Sequence, residues 1–277
     1  MAQQKISVVT GASSGIGKWI ALGMAQAGYA VVMVGRDPAR GDAAKFWILE
    51  RVPSASLDLR VVDLASLEGT AALARDIAAV YGRVDVLVLN AGMFQSRHEV
   101  TSEGHESVLA VNHLSPFVMI RELAGALRAA APSRIVVVGS SSSDNAKIDL
   151  ENVELTQGWG MWRSYSRSKL AVMMATFEWA RRLAAERITA NVVHPGFVAS
   201  GLVRTPGLIG LVWRLGKPFG RSEEKGAETP LFVALSPEHG TATGKYFKDC
   251  KIVQPNRLAL DEALCRQLWQ ATERLAG

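Results

Sequence analysis

Short runs rich in valine and isoleucine alternate along this chain with longer stretches whose apolar residues recur every three or four positions. The first pattern predicts strands buried on both faces, the second amphipathic helices. Strands are expected at Ile6–Thr10, Ala30–Val34, Leu57–Val62, Val86–Leu89, Arg134–Val138 and Ile188–Val193, with a short one at Gly244–Phe247. Helices are expected near Gly15–Ala27, Ala39–Arg51, Leu67–Tyr81, Ser102–Ala130, Tyr165–Ala185, Glu223–Ala234 and Asp261–Leu275. Such alternation implies an α/β fold, a single doubly wound parallel sheet of Rossmann type with helices on both faces. No repeat or Pro/Gly-rich linker divides residues 1–277, so one domain is expected.

Two connections break the rhythm. Ser143–Arg163 carries Trp159 and Trp162, and the segment 197–222 carries Leu202, Leu208, Ile209, Leu211, Val212, Trp213 and Phe219. Long connections in compact domains tend to be functional, and both should emerge where the strands end and ligands bind. They predict an apolar substrate wall, with 197–222 as a loop or helix covering the substrate. Met161, Met173 and Met174 are read as core filler.

Composition narrows the setting. Cys250 and Cys265 are too few for a disulfide framework, and no charged head and apolar run of a signal peptide opens the sequence. A reducing, cytoplasmic location is expected. No apolar run reaches the roughly 18 residues of a membrane span, which leaves only peripheral membrane contact through the apolar 197–222 segment. The net charge of +5 is scattered and not interleaved with aromatics, so no nucleic-acid partner is expected. His98, His105 and His113 form no metal-ligand pattern with the cysteines, and no metal is expected.

The candidate chemistry begins at Gly11-Ala12-Ser13-Ser14-Gly15-Ile16-Gly17, between the first strand and first helix. Glycines allow close approach to the backbone, and the following helix offers unpaired N–H groups to phosphate. A dinucleotide site usually ends its second strand with an acidic residue that holds the ribose; here Gly35 is followed by Arg36. An arginine suits a 2′-phosphate, so NADP(H) is preferred, with NAD(H) as the alternative. Asp37 would oppose that phosphate if its carboxylate turned inward. Further on, Tyr165 and Lys169 stand four apart, one helical turn on one face. A fixed ammonium beside a phenol should lower the phenol pKa from its usual value near 10 and suit it to proton transfer.

Together these features resemble the short-chain dehydrogenase/reductase family, and most nearly its retinol dehydrogenase-like branch. The likeness adds Asp63-Leu64, Asn90-Ala91-Gly92 (with Leu89 where the family often has asparagine) and Asn112 in Val111-Asn112-His113-Leu114. It also adds Tyr165-Ser166-Arg167-Ser168-Lys169-Leu170, His194-Pro195-Gly196 followed by Val198 and Ser200, and Gly244-Lys245-Tyr246-Phe247. The resemblance implies that Tyr165, Lys169, Asn112 and a serine form the catalytic group. Gly139-Ser140-Ser141-Ser142 fits the family's Gly-Ser-x-Ser and favours Ser142, whereas alignment with the retinol-like branch favours Ser140. By the same resemblance the cofactor touches Gly11, Ser13 to Gly17, Arg36, Asp63, Leu64 and Asn90 to Gly92. It also touches Tyr165, Lys169, Pro195, Gly196, Val198 and Ser200. Asn112 is implied to hold a water linking Lys169 to solvent, and relatives often pair through long helices, which implies a homodimer or tetramer.

The expected activity is hydride transfer between nicotinamide and the carbonyl or alcohol carbon of a lipophilic substrate, as a carbonyl reductase. Oxidative alcohol dehydrogenase, a non-catalytic NADP(H)-binding regulator and a membrane-surface module are the rivals. A serine hydrolase would need a Gly-x-Ser-x-Gly elbow, which the sequence lacks.

Overall fold

The structure, a computed structural model, describes residues 4–198 and 220–277. The strands are β1 (Ile6–Thr10), β2 (Ala30–Gly35), β3 (Leu57–Val61), β4 (Val86–Leu89), β5 (Ser133–Val138), β6 (Ile188–His194), β7 (Tyr246–Lys248) and β8 (Lys251–Val253). They form one sheet in the order β3-β2-β1-β4-β5-β6-β7-β8. The pairs from β3 to β7 are parallel, whereas β8 folds back antiparallel on β7. The hydrophobic pattern did not predict β8, because its three residues Lys251-Ile252-Val253 carry no alternation long enough to read.

Alternate residues of each strand feed two cores. Val8, Val32, Leu87, Val137 and Val192 face one side, under α3 (Leu67–Tyr81), α5 (Ser115–Ala129), α6 (Met161–Leu183) and α9 (Glu262–Ala276). Val9, Met33, Val88, Val136 and Val193 face the other, under α1 (Gly15–Gln26), α2 (Pro38–Leu49) and α7 (Glu223–Leu235). A short α8 (Arg257–Leu260) precedes α9. β1, β2 and β4 are buried throughout. β3, expected to be buried, is an edge strand and only half-buried. Its polar side chains are satisfied laterally, Asp58 accepting from Arg60 Nε at 2.7 Å and from the Tyr81 hydroxyl at 2.8 Å.

The single helix expected over Ser102–Ala130 is divided. Glu106 caps α4 (Ser107–Leu109), a π-turn runs over Ala110–Leu114, and α5 follows. Pro116 explains the widening. It has no N–H for the Asn112 carbonyl four residues back, and its ring would crowd that carbonyl in a regular helix.

On the outer side, α9 lies along α6. The Trp269 ring meets Phe117 and Trp179 edge-on, with centroids 4.7 and 4.5 Å away, and the Arg182 guanidinium sits 4.0 Å above Trp269. As a result α6 is buried on nearly every side beyond its first turn.

Candidate active site

The strand order reverses between β1 and β4, and a cleft of about 880 Å³ opens beyond the carboxyl ends of these strands. That is where open α/β sheets bind ligands, and the volume is ample for a large one.

The turn after β1 forms one wall. Gly11 and Gly15 hold φ of +68° and +59°, a region costly for other residues. Gly17 is required for space: a Cβ there would lie 2.2 Å from the Gly11 carbonyl oxygen and 2.5 Å from Asn90 Nδ2. Asn90 itself braces the turn, donating from Nδ2 to the Thr10 carbonyl at 3.0 Å, while Thr10 Oγ1 accepts from the N–H groups of Asn90 and Ala91. No side chain caps α1, and its first turn has no acidic residue. In contrast, α2, α3, α7 and α9 are capped by Asp37, Ser66, Ser222 and Asp261. The open N–H groups of α1 therefore present a positive helix end to the cleft.

At one end the cleft is lined by Arg36, Arg40, Asp63 and Leu64. Arg40 was not singled out in the sequence; its signal was its place in the first turn of a helix that starts at the end of β2. The Asp37 carboxylate accepts from the Arg40 backbone N–H at 3.1 Å and so caps its own helix, as a residue before a proline-led helix commonly does. Asp63 Oδ1 accepts from the Ala65 N–H and shapes the turn after β3. Uncapped amides and two guanidiniums around a long cleft fit a dinucleotide phosphate chain, with Gly11 to Gly17 and Asn90 to Gly92 as its walls.

The other end gathers Ser140, Ser142, Tyr165, Lys169, Pro195, Gly196 and Val198. Ser142 Oγ donates to Ser140 Oγ at 3.1 Å, and Ser140 is the serine whose hydroxyl acts on the Tyr165 phenol. Ser140 is thus the serine beside the tyrosine, and Ser142, which the motif favoured, stands one hydrogen bond behind it. Burial pushes the Tyr165 pKa up, and the Ser140 hydrogen bond opposes that rise. The expected lowering by Lys169 is not what governs here. The Lys169 ammonium lies 5.9 Å from the ring centroid and donates to the Val138 carbonyl at 2.9 Å. Burial pushes the Lys169 pKa down to about 8.

Asn112 meets neither Tyr165 nor Lys169. Its Oδ1 accepts from the Met93 N–H at 2.7 Å, and its Nδ2 donates to the Met93 carbonyl and Ser168 Oγ, each at 2.9 Å. The side chain therefore positions the loop after β4 against α6. Phe94, unremarked in the sequence, stacks edge-on to Tyr165 and to Trp162, with centroids 5.2 and 5.0 Å away. Phe94, Trp162 and Phe197 line the apolar mouth of the cleft, and the latter two are about half exposed. Trp159, expected in this wall, does not line the cleft; its Nε1 donates to Glu106 and its ring stacks on His98. Met173 and Met174 are core residues, whereas Met161 packs beside Phe94 and Tyr165. Ser200 and most of the 197–222 cover, including its aliphatic run and Phe219, lie outside the described residues.

His113 is fully buried and bonds Thr272 at 2.8 Å, and burial pushes its pKa down to about 3. A histidine kept neutral in this way gives stability that is complete above its unfolded pKa near 6.5 and is lost as pH falls towards 3. His194, pushed down to about 4 chiefly by burial, acts in the same window. The denaturant midpoint is expected to fall between about pH 7 and about pH 5, and to fall less in His113→Asn, which cannot charge. An equal fall in both proteins would assign the loss to other groups.

Comparison with known proteins settles the family. The short chain dehydrogenase model matches residues 5–206. The chain belongs to the short-chain dehydrogenase/reductase family. Within it the chain falls in the retinol dehydrogenase-like branch. It is 35% identical to human (Homo sapiens) retinol dehydrogenase 14 and 34% identical to Bos taurus retinol dehydrogenase 12. Each alignment covers 99% of this chain and 86% of the relative. Among solved structures, a Mycobacterium paratuberculosis protein aligns with a TM-score of 0.78 at 27% identity, over 99% of this chain and 93% of the other. Pseudomonas aeruginosa RhlG, solved with NADP, aligns with a TM-score of 0.70 at 27% identity, over 90% and 95%. The chain is accordingly an oxidoreductase of this family. No described helix is long and apolar enough to cross a membrane.

Proposed function

We propose that this chain is an NADP(H)-dependent reductase of apolar carbonyl compounds. The observation that carries the reading is the grouping of Ser142, Ser140, Tyr165 and Lys169 at the apolar mouth of a cleft whose far end is basic.

Bound in the cleft, the nicotinamide would supply the hydride. Tyr165 donates its proton to the substrate oxygen, and the Ser140 hydroxyl holds that oxygen as negative charge develops. Among the described residues no carboxylate pairs with the Lys169 ammonium, which stays available to a ribose hydroxyl. We assign the water that refills the proton path to the Asn112 backbone carbonyl, which Pro116 deprives of its usual donor. Phe94, Trp162 and Phe197 offer an apolar surface to the rest of the substrate.

The preference for NADP(H) rests on Arg36 and Arg40, together with the turning of Asp37 into its helix cap. Arg36→Ala is expected to raise the KM for NADPH about tenfold or more while leaving that for NADH nearly unchanged, the loss of one charge-assisted pair. Equal use of both cofactors by the intact protein would remove the argument.

The direct test is NADPH oxidation with a panel of apolar ketones and aldehydes. A second reading, oxidation of the corresponding alcohols, uses the same atoms in reverse. The curated relatives are named retinol dehydrogenases, so long-chain and polyene aldehyde–alcohol pairs belong first in that panel. Turnover on none of them in either direction would contradict both readings.

A further inference from the structure

The residues immediately before Tyr165 and Lys169 are both serines, Ser164 and Ser168, four apart on α6. Each is held by a side chain from the same short segment. Asn112 Nδ2 bonds Ser168 Oγ at 2.9 Å, and Ser164 Oγ donates to Glu106 Oε1 at 2.9 Å. Glu106 is 4% exposed and is not matched by any arginine or lysine among the described residues. It instead accepts from the Leu109 N–H at 2.7 Å and from Trp159 Nε1 at 3.1 Å. A buried carboxylate is tolerated only when donors satisfy it, and here the donors come from three different segments.

The local chain needs this brace. α6 begins at Gly160, which has no side chain to cap it, so its first turn is left to fray unless something outside holds it. Gly158, at φ +64°, and Gly160 flank Trp159, so the approach to the helix has little stiffness of its own. Glu106 fastens that approach through Trp159 and the first turn through Ser164, and its negative charge faces a positive helix end.

We propose that Glu106 is a positioning residue for Tyr165, acting through Ser164 and Trp159 as Asn112 acts through Ser168. One segment, Glu106 to Asn112, would then set both the phenol and the ammonium, one helical turn apart. The proposal deepens the reading of Tyr165 as proton donor and rests on it.

The test uses the full chain and the variants Ser164→Ala, Glu106→Gln and their combination. Ser164→Ala removes one buried oxygen and is the variant expected to fold if Glu106→Gln does not. It should lower kcat about tenfold with the KM for NADPH unchanged, and shift the alkaline limb of the kcat profile. The double variant should lose less than the product of the two single losses, because both substitutions alter the Ser164–Glu106 contact. A merely structural role would lower stability but leave kcat per folded molecule and the pH limb as they are. Wild-type kcat and pH profile in Ser164→Ala, or additive losses in the double variant, would overturn the proposal. A readout without turnover keeps this separate from the reductase reading. The tyrosinate absorbance that Tyr165→Phe removes should titrate at a different pH in Ser164→Ala, and an unchanged titration would overturn the brace even if no substrate is found.

Discussion

Tyr165→Phe is expected to lower turnover by about 10²–10⁴-fold, the span that a positioned proton donor contributes. NADPH binding should be nearly unchanged. The phenol is 8% exposed, its ring is fixed by Phe94, and its only lost atom is the hydroxyl that meets Ser140. Phenylalanine keeps the ring contacts, so the loss should fall on kcat alone. Ser140→Ala should give a smaller loss, because the tyrosine keeps its proton but the substrate oxygen loses a donor. Ser142→Ala should be milder still, since Ser142 acts through Ser140. Single-turnover rates with saturating NADPH measure all three. Near-normal turnover in Tyr165→Phe would end the mechanism.

Gly17→Ala should strongly weaken nucleotide binding without touching a reacting group. The added carbon would stand 2.2 Å from the Gly11 carbonyl oxygen, inside any tolerable contact, and 2.5 Å from Asn90 Nδ2. Neither neighbour can move cheaply. Gly11 is already at positive φ, and Asn90 holds β1 to the loop after β4. Overpacking of this kind costs about 1–3 kcal/mol in stability. It also displaces the turn whose N–H groups would face the phosphates. We expect the Kd for NADPH to rise by roughly a hundredfold, equivalent to about 3 kcal/mol. Titration calorimetry on the folded variant checks this. Binding as tight as that of the parent would show that the turn does not carry the nucleotide.

The α/β alternation was legible because buried parallel strands are runs of valine and isoleucine, and Val8, Val32 and Val136 need no partner information to read as core. The cleft was legible for the same reason in reverse: glycines and serines between a strand and a helix have few other uses. What escaped depends on contacts distant in sequence. Arg40 enters the cleft only once the turn of α2 is fixed, and Phe94 finds Tyr165 across 71 positions of chain. The choice between Ser140 and Ser142 is a matter of which hydroxyl points at the phenol, which a run of serines cannot express. The Tyr165–Lys169 spacing correctly predicted proximity. It did not predict that burial outweighs the ammonium, because a pattern of residues carries no depth.

The lengthwise contact of α9 with α6 has a bearing on self-association. Phe117, Trp179 and Trp269 interlock beneath Arg182, while Glu262, Arg266 and Glu273 point outward. The outer flank of α6 is thus covered by the chain's own last helix. A second copy approaching there would meet Glu262, Arg266 and Glu273, not the apolar side of α6.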